Sequence, residues 1–198
     1  MNKIFATVSL KSILVHIPCS SGIASFKTKF GHLDPDTPIP LLACLESNSV
    51  QDVIWALRAV HQDISAVIPL IAADFAESVL HLFEEKFPND DRPRKAIEAA
   101  RSGERKKARA ASYASYAAYT TAAADASIAC AARAASAARA VYAAACAATT
   151  ASPAADDDAA YYATHCAAHY AAQAADACAA SELSKQAEIL RKYLTDKE

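Results

Sequence analysis

The sequence predicts an all-α protein, a compact array of about seven helices whose C-terminal half is built from antiparallel alanine-rich helices. Only 3 of the 198 residues are glycine and 8 are proline, which argues against a turn-rich β sandwich or barrel. Between residues 104 and 180 about half of the positions are alanine, the strongest helix former. Residues 1–47 lack a clear helical pattern, so we expect a short irregular or β arm there.

These differences in pattern predict how the chain is organised. Pro35, Pro38 and Pro40 lie close together and indicate a turn that closes the N-terminal arm. We expect a single all-helical domain after it. The predicted segments are an arm and Pro-rich turn at 1–47 and a domain at 48–198, divided into short helices at 48–103, alanine-rich helices at 104–180 and a C-terminal helix at 181–198.

Charge and cysteine usage predict a cytoplasmic protein. Lys and Arg number 20 against 22 Asp and Glu, so no global field favours nucleic acid or an acidic membrane surface. Lys11 and His16 interrupt the apolar N-terminal run, which argues against a signal peptide. The six cysteines form no C-x-x-C pair and are typical of small buried thiols in a reducing compartment. The alanine region carries too many charges for a membrane span.

The first clear helix begins at Ser49. Ser49 and Asp52 have the spacing of a capping box, and apolar residues then recur at helical spacing. This helix should end near His61. A second helix is predicted over 64–87, with Pro69 near its start or at a kink.

A third short helix follows Asn89. Asp90 or Asp91 can cap it, and Pro93 suits its first turn. The helix should end near Arg101, before the turn at Ser102-Gly103.

The alanine-rich region divides at Ser152-Pro153, where a helix is predicted to start and run to about Ala180. The preceding stretch, 104–150, is too long for one helix in a compact domain, so we expect a break near 120–125 with Thr121 or Asp125 as cap. Ser181 should cap the last helix. One face of that helix should carry Leu183, Ala187, Leu190 and Leu194.

Large residues among the alanines are candidate contacts. Tyr113, Tyr116 and Tyr119 are three residues apart and spread across one broad side of their helix. On the 153–180 helix, helical spacing predicts a polar stripe of Asp158, Tyr162, His165, His169, Gln173 and Asp176. The same spacing predicts a small face of Ala159, Ala163, Cys166, Tyr170, Ala174 and Ala177. We take Tyr113, Tyr116, Tyr119, Tyr162, His165 and His169 as candidate binding residues.

His165 and His169 have the i, i+4 spacing with which a helix offers two imidazoles to a metal. The acidic residue of a metalloprotease motif is absent, since Ala167 and Ala168 fill the interval. We therefore interpret the pair as solvated histidines and predict no metal ligands, cofactor or catalytic residues. A metal-dependent enzyme built on the pair is the alternative, which elemental analysis of the purified protein tests.

Charged clusters near the helix starts have local explanations. The run 156–158 of three aspartates suits the first turns of a helix, where it complements the dipole. A basic cluster at the start of the alanine-rich region can contact phosphates or an acidic partner. We interpret it as a solvated helix start because no aromatic or glycine-rich motif accompanies it. The cluster consists of Arg101, Arg105, Lys106, Lys107 and Arg109.

Two segments resemble a known family. They run from Ile39 to Ala59, including Trp55 and Arg58, and from Phe75 to Arg101, including the string D-R-P-R-K-A-I-E-A-A-R. Followed by an alanine-rich tail, they resemble the all-α putative immunity proteins of bacterial polymorphic toxin systems, called immunity family five. The motif residues are Trp55, Arg58, Asp91, Arg92, Arg94 and Glu98, and a helix cap with salt bridges explains the last four.

The resemblance implies a cytoplasmic protein that is not an enzyme and that binds and neutralises a cognate protein toxin. It implies no nucleic-acid or membrane partner and leaves the oligomeric state open. Relatives with similar tails resemble prophage-associated proteins, so a helical structural protein of a mobile element is the other alternative. Self-assembly in the absence of a neighbouring toxin gene distinguishes that alternative.

Overall fold

The computed structural model describes residues 3–124, 129–150, 158–175 and 179–195. Within these ranges it contains nine α-helices and only two-residue strands, which confirms the all-α class. The helices are α1 (Leu10–Val15), α2 (Ser20–Phe30), α3 (Val50–Ala56), α4 (Ile68–Glu84), α5 (Arg92–Arg101), α6 (Arg105–Ala124), α7 (Ala129–Thr150), α8 (Asp158–Ala175) and α9 (Ala179–Tyr193). The strands are β1 (Ile4–Phe5), β2 (Thr7–Val8), β3 (Ile39–Pro40) and β4 (Leu194–Thr195).

The chain divides into two compact units, Met1–Ile64 with Ala187–Glu198, and Ser65–Gln186. These boundaries differ from the predicted division into 1–47 and 48–198. In the first unit β1 pairs in parallel with β4, so residues from the two ends of the chain share one sheet. Such a non-local pairing leaves no signal in the local sequence pattern.

The first unit contains the predicted short strands and also two helices within the segment expected to be an arm. β2 pairs antiparallel with β3. α1 is preceded by Ser9, which forms a capping box with Ser12. The Cys19 thiol accepts a hydrogen bond from the Gly22 amide (3.3 Å) at the start of α2, so Cys19 is an exposed cap and the prediction of a buried thiol was wrong there.

The predicted starts of α3 and α5 agree with the structure, whereas α4 begins at Ile68, four residues after the predicted start at 64. Ser49 and Asp52 form the expected capping box of α3, which ends at Ala56 and continues as a 3-10 turn to Ala59. Pro69 lies in the first turn of α4, where a missing N–H costs nothing. The carboxylate of Asp90 accepts the Arg92 amide (3.2 Å) at the start of α5.

Several predictions for the alanine-rich region need correction or fall outside the described residues. Thr121 lies inside α6 and does not cap a helix. Ser181 likewise lies inside α9, and Leu194 belongs to β4 rather than to the face of α9. The predicted caps at Asp125 and at Ser152-Pro153 lie outside the described residues, as does the aspartate run at 156 and 157.

Helix α7 forms the centre of the second unit. It packs against α4, α5, α6 and α8, and its alanines are buried on several sides. Alanine lets helix backbones approach closely because no long side chain holds them apart. The buried alanines of α7 are Ala134, Ala137, Ala138, Ala140, Ala143, Ala144, Ala145, Ala147 and Ala148.

Candidate functional site

An exposed group of tyrosines around one arginine lies on α6, α7 and α8. We call it the tyrosine face, and it consists of Tyr113, Tyr116, Tyr119, Arg139, Tyr142, Tyr162 and Tyr170. Three of these tyrosines belong to the exposed large hydrophobic side chains of the described chain: Tyr113 (65% exposed), Tyr116 (49%) and Tyr162 (63%). A surface of large aromatic side chains is a candidate interaction site.

The antiparallel course of the helices brings these residues together. The Tyr116 ring lies 5.3 Å from the Tyr142 ring, whereas Arg139, one turn earlier on α7, contacts Tyr119, one turn later on α6. From α7 to α8, Arg139 lies against Tyr170. Residues far apart in the chain therefore share one surface.

Arg139 lies at the centre of the face. Its side chain is exposed, and its guanidinium carbon lies 4.2 Å from the centre of the Tyr170 ring and 5.4 Å from that of Tyr119. A guanidinium near the face of an aromatic ring is attracted by the quadrupole of the ring. The two rings thus favour a cation at this position on the surface.

Two tyrosine hydroxyls of the face are held by cysteines. A hydrogen bond to the Cys146 thiol raises the pKa of Tyr142, and a hydrogen bond to Cys166 raises the pKa of Tyr162. Burial raises the pKa of Cys146 itself. The Tyr142 and Tyr162 phenols are therefore uncharged at neutral pH and add no negative charge beside Arg139.

The sequence pattern named four members of this face, Tyr113, Tyr116, Tyr119 and Tyr162. It missed Arg139 and Tyr142, and it assigned Tyr170 to the small face of α8, although that ring is only half-buried. The signal for the missed α7 residues was their size, since few large side chains interrupt the alanines of that helix. Their partners on α6 depend on the helix register, which local spacing does not encode.

In the predicted polar stripe of α8, Tyr162 is exposed and His165 half-buried, while the side chains of Asp158 and Asp176 lie outside the described part of the chain. His169 and Gln173 are exposed. The buried face of α8 is centred one residue closer to the C-terminus of the helix than the predicted small face. Ala159, which was expected on the small face, is therefore exposed. The fully buried members of the observed face are Thr164, Ala167, Ala168, Ala171 and Ala174.

His165 and His169 lie on neighbouring turns of α8. His165 is half-buried and His169 exposed, and Nε2 of His169 lies 3.0 Å from Nε2 of Gln173. Across the described ranges, no three His, Cys, Asp or Glu side chains are grouped as a metal ion requires. The metal-dependent enzyme thus stays a hypothesis, and the described residues offer no third ligand beside His165 and His169.

The motif residues of α5 form ion pairs at its N-terminal end. Arg94 makes two parallel hydrogen bonds, both 2.7 Å, to the Glu84 carboxylate on α4. Arg92 pairs with Asp90 (2.6 Å), Lys95 pairs with Asp91 (2.7 Å), and Glu98 is exposed. The Arg94 pair joins α5 to α4, whereas the Arg92 and Lys95 pairs link the first turn of α5 to the residues directly before it.

At the other end of α5, Arg101 joins the same two helices. Its guanidinium forms ion pairs with Asp74 and Glu77 of α4, and Asp74 is only 7% exposed. The hydrogen bond from Arg101 lowers the pKa of Glu77. Pairing with the Arg101 guanidinium offsets part of the cost of burying the Asp74 carboxylate.

Trp55 and Arg58 belong to the first compact unit. The guanidinium carbon of Arg58 lies 5.0 Å from the centre of the indole ring, and its Nε donates to the Trp55 carbonyl (3.3 Å). The indole is half-buried. This local stacking accounts for the pair of motif residues without a ligand.

A small cavity in the second unit has little of the character of a ligand site. Its volume is about 240 Å³, and it is lined by Leu82, Glu85, Lys86 and Arg133. The Arg133 Nε donates to the Ala174 carbonyl (2.9 Å). Ligand pockets are usually about 300–1,000 Å³ and mainly apolar, so the tyrosine face is the stronger candidate.

Comparison with protein-family models, curated proteins and solved structures finds no match to this chain. The resemblance to immunity family five therefore stays a prediction. In the described part of the chain, no helix has both the length and the apolar character needed to cross a membrane.

Proposed function

We propose that this protein binds a partner protein through the tyrosine face. Tyrosine and arginine are enriched among the residues that dominate binding energy, while Lys, Glu and Asp are depleted from interface centres. The face has this composition: six tyrosines surround one arginine. Tyrosine offers large contact area at a low cost in conformational entropy.

The resemblance to immunity family five identifies the partner class. We propose a cytoplasmic immunity protein that is not an enzyme and that neutralises a cognate bacterial toxin by covering its working surface. The observation that carries the proposal is the exposure of Tyr113 and Tyr116 on α6 and of Tyr162 on α8, two helices that both pack against α7. Rigid helices present such anchors with little reorganisation on binding.

Growth rescue tests the proposal. The product of the neighbouring open reading frame is expressed with and without this protein, and gel filtration of the two purified proteins follows. The proposal predicts that the neighbour inhibits growth, that co-expression restores growth, and that the two proteins elute as a complex. Absence of both rescue and complex would reject the immunity role.

Variants of the face test the surface itself. Replacing Tyr113 and Tyr116 together by alanine removes two largely exposed rings, so the fold should persist while rescue and complex formation are lost. The matched control replaces Leu14 and Val15 by alanine, since these exposed apolar side chains (48% and 73%) belong to the other unit. Equal loss of rescue in both variants would contradict a role of the tyrosine face.

A further inference from the structure

Cations extend the tyrosine face along α6. Lys106, Arg109, Tyr113 and Tyr116 recur at spacings of three and four residues, so they share one side of the helix, and all four are exposed. The expectation that no aromatic group accompanies the basic cluster therefore failed, because the helix places the tyrosines directly after it. The surface combines aromatic anchors with positive charge.

These cations have no acidic partner in the described part of the chain. Lys106, Arg109 and Arg139 form no ion pair with any carboxylate described there. By contrast, Arg92, Arg94 and Arg101 are each paired with a carboxylate. The chain as a whole carries a net charge of −2, so this positive surface is a local feature.

Arg139 can receive a planar anion. Its guanidinium carbon lies 4.2 Å from the centre of the Tyr170 ring and 5.4 Å from that of Tyr119, and its N–H groups donate to no other residue in the described part of the chain. The free edge of a guanidinium matches a carboxylate, which accepts two parallel hydrogen bonds.

We infer that the tyrosine face receives an acidic segment of the partner protein, with one carboxylate on Arg139 and others beside Lys106 and Arg109. This inference rests on the proposed function only in that the partner is a protein. Single-stranded nucleic acid also combines stacking with negative charge. The rings of Tyr116 and Tyr119, however, are tilted by 50° and those of Tyr116 and Tyr142 by 56°, so they do not form parallel platforms for successive bases.

Fluorescence anisotropy tests the inference directly. The probes are a fluorescein-labelled peptide of alternating glutamate and leucine, the same peptide with glutamine in place of glutamate, and labelled oligothymidylate. The purified protein should bind the acidic peptide, bind the glutamine peptide much more weakly, and lose affinity as salt is raised. Arg139→Gln should weaken binding of the acidic peptide about tenfold.

Arg191→Gln is the matched control, because Arg191 is an exposed helical arginine in the other unit and its loss changes the net charge equally. Four results would overturn the inference: no binding of the acidic peptide, equal binding of the glutamine peptide, equal effects of the two substitutions, or preferential binding of oligothymidylate. A dimer in sedimentation that Arg139→Gln dissociates would assign the face to a second copy and overturn it too.

The two proposals fail separately. If the neighbouring gene product is not neutralised but the acidic peptide binds in an Arg139-dependent manner, the toxin assignment fails and this inference stands. If rescue occurs but neither rescue nor the complex responds to Arg139→Gln or to salt, the inference fails and the immunity role stands.

Discussion

Replacing Ala144 by leucine tests whether the alanines of α7 set the spacing between helices. Ala144 is 0% exposed, and so are Ala140 and Ala147 one turn away on either side. The change adds an isopropyl group to a fully buried position of α7, a helix that packs against α4, α5, α6 and α8. Overpacking of a filled core costs about 1–3 kcal/mol, and we expect about 3 kcal/mol because Ala144 and its two neighbours on this side of α7 are all fully buried.

For a protein of this size, 1 kcal/mol corresponds to about 2–4 °C in melting temperature. Ala144→Leu should therefore lower Tm by about 6–12 °C and lower the urea midpoint with an unchanged m-value. Ala110→Leu is the control, since Ala110 is an exposed position on α6 and leucine has nearly the helix propensity of alanine. Its effect should stay within about 0.5 kcal/mol. Equal stability of the two variants would refute the packing argument.

Three further perturbations address contacts outside α7. Arg101→Gln should lower the free energy of unfolding by about 2 kcal/mol in urea titration, less than for a fully buried pair, because it removes the guanidinium that is paired with the buried Asp74 carboxylate. Arg101 lowers the pKa of Glu77, so the stabilisation from this ion pair is fully present above pH 4.5, the usual pKa of the group, and is lost as the pH falls through the lowered pKa. The variant should lack this acid-dependent loss of stability. A dependence of stability on pH that is the same with and without the substitution would contradict the assignment. Ser49→Ala should cost about 1 kcal/mol through loss of the α3 cap, whereas threonine at this position should restore most of the stability. Burial raises the pKa of Cys44 to about 12, so peptide mass spectrometry should find this thiol unalkylated at pH 8 until the protein is denatured; rapid labelling of the native protein would show that it is accessible.

The helices whose signals are local were predictable. Ser49 and Asp52 lie three residues apart, and their capping box forms within one turn. Pro93 lies in the first turn of α5, and Gly103 follows the end of this helix with φ +70°. Both residues restrict or permit backbone conformations only at adjacent positions. Such interactions depend on side chains a few residues apart, so the sequence displays them directly.

The N-terminal segment was less predictable for two physical reasons. α1 has only six residues, too short for a clear periodic pattern, and its cap joins Ser9 to a second serine rather than to an acidic residue. The strand pair from Ile4 to Leu194 joins positions separated by almost the whole chain. Neither feature leaves a recognisable local signature.

About half of the tyrosine face could be predicted from the sequence. Tyr113, Tyr116 and Tyr119 follow from the geometry of one helix, as expected. Arg139 and Tyr142 join them only through the register between α6 and α7. That register results from the packing of buried alanines, which is a property of the folded unit.

The sequence by itself determined that the C-terminal half is built from alanine-rich helices, because propensity, caps and breaks are properties of neighbouring residues. Only the tertiary structure decided that α7 lies at the centre and that three helices assemble tyrosines around Arg139. The physical reason is that alanine specifies close approach without specifying a partner, since many helix pairs of small residues can pack equally closely. The larger side chains acquire their neighbours only once the helices have packed.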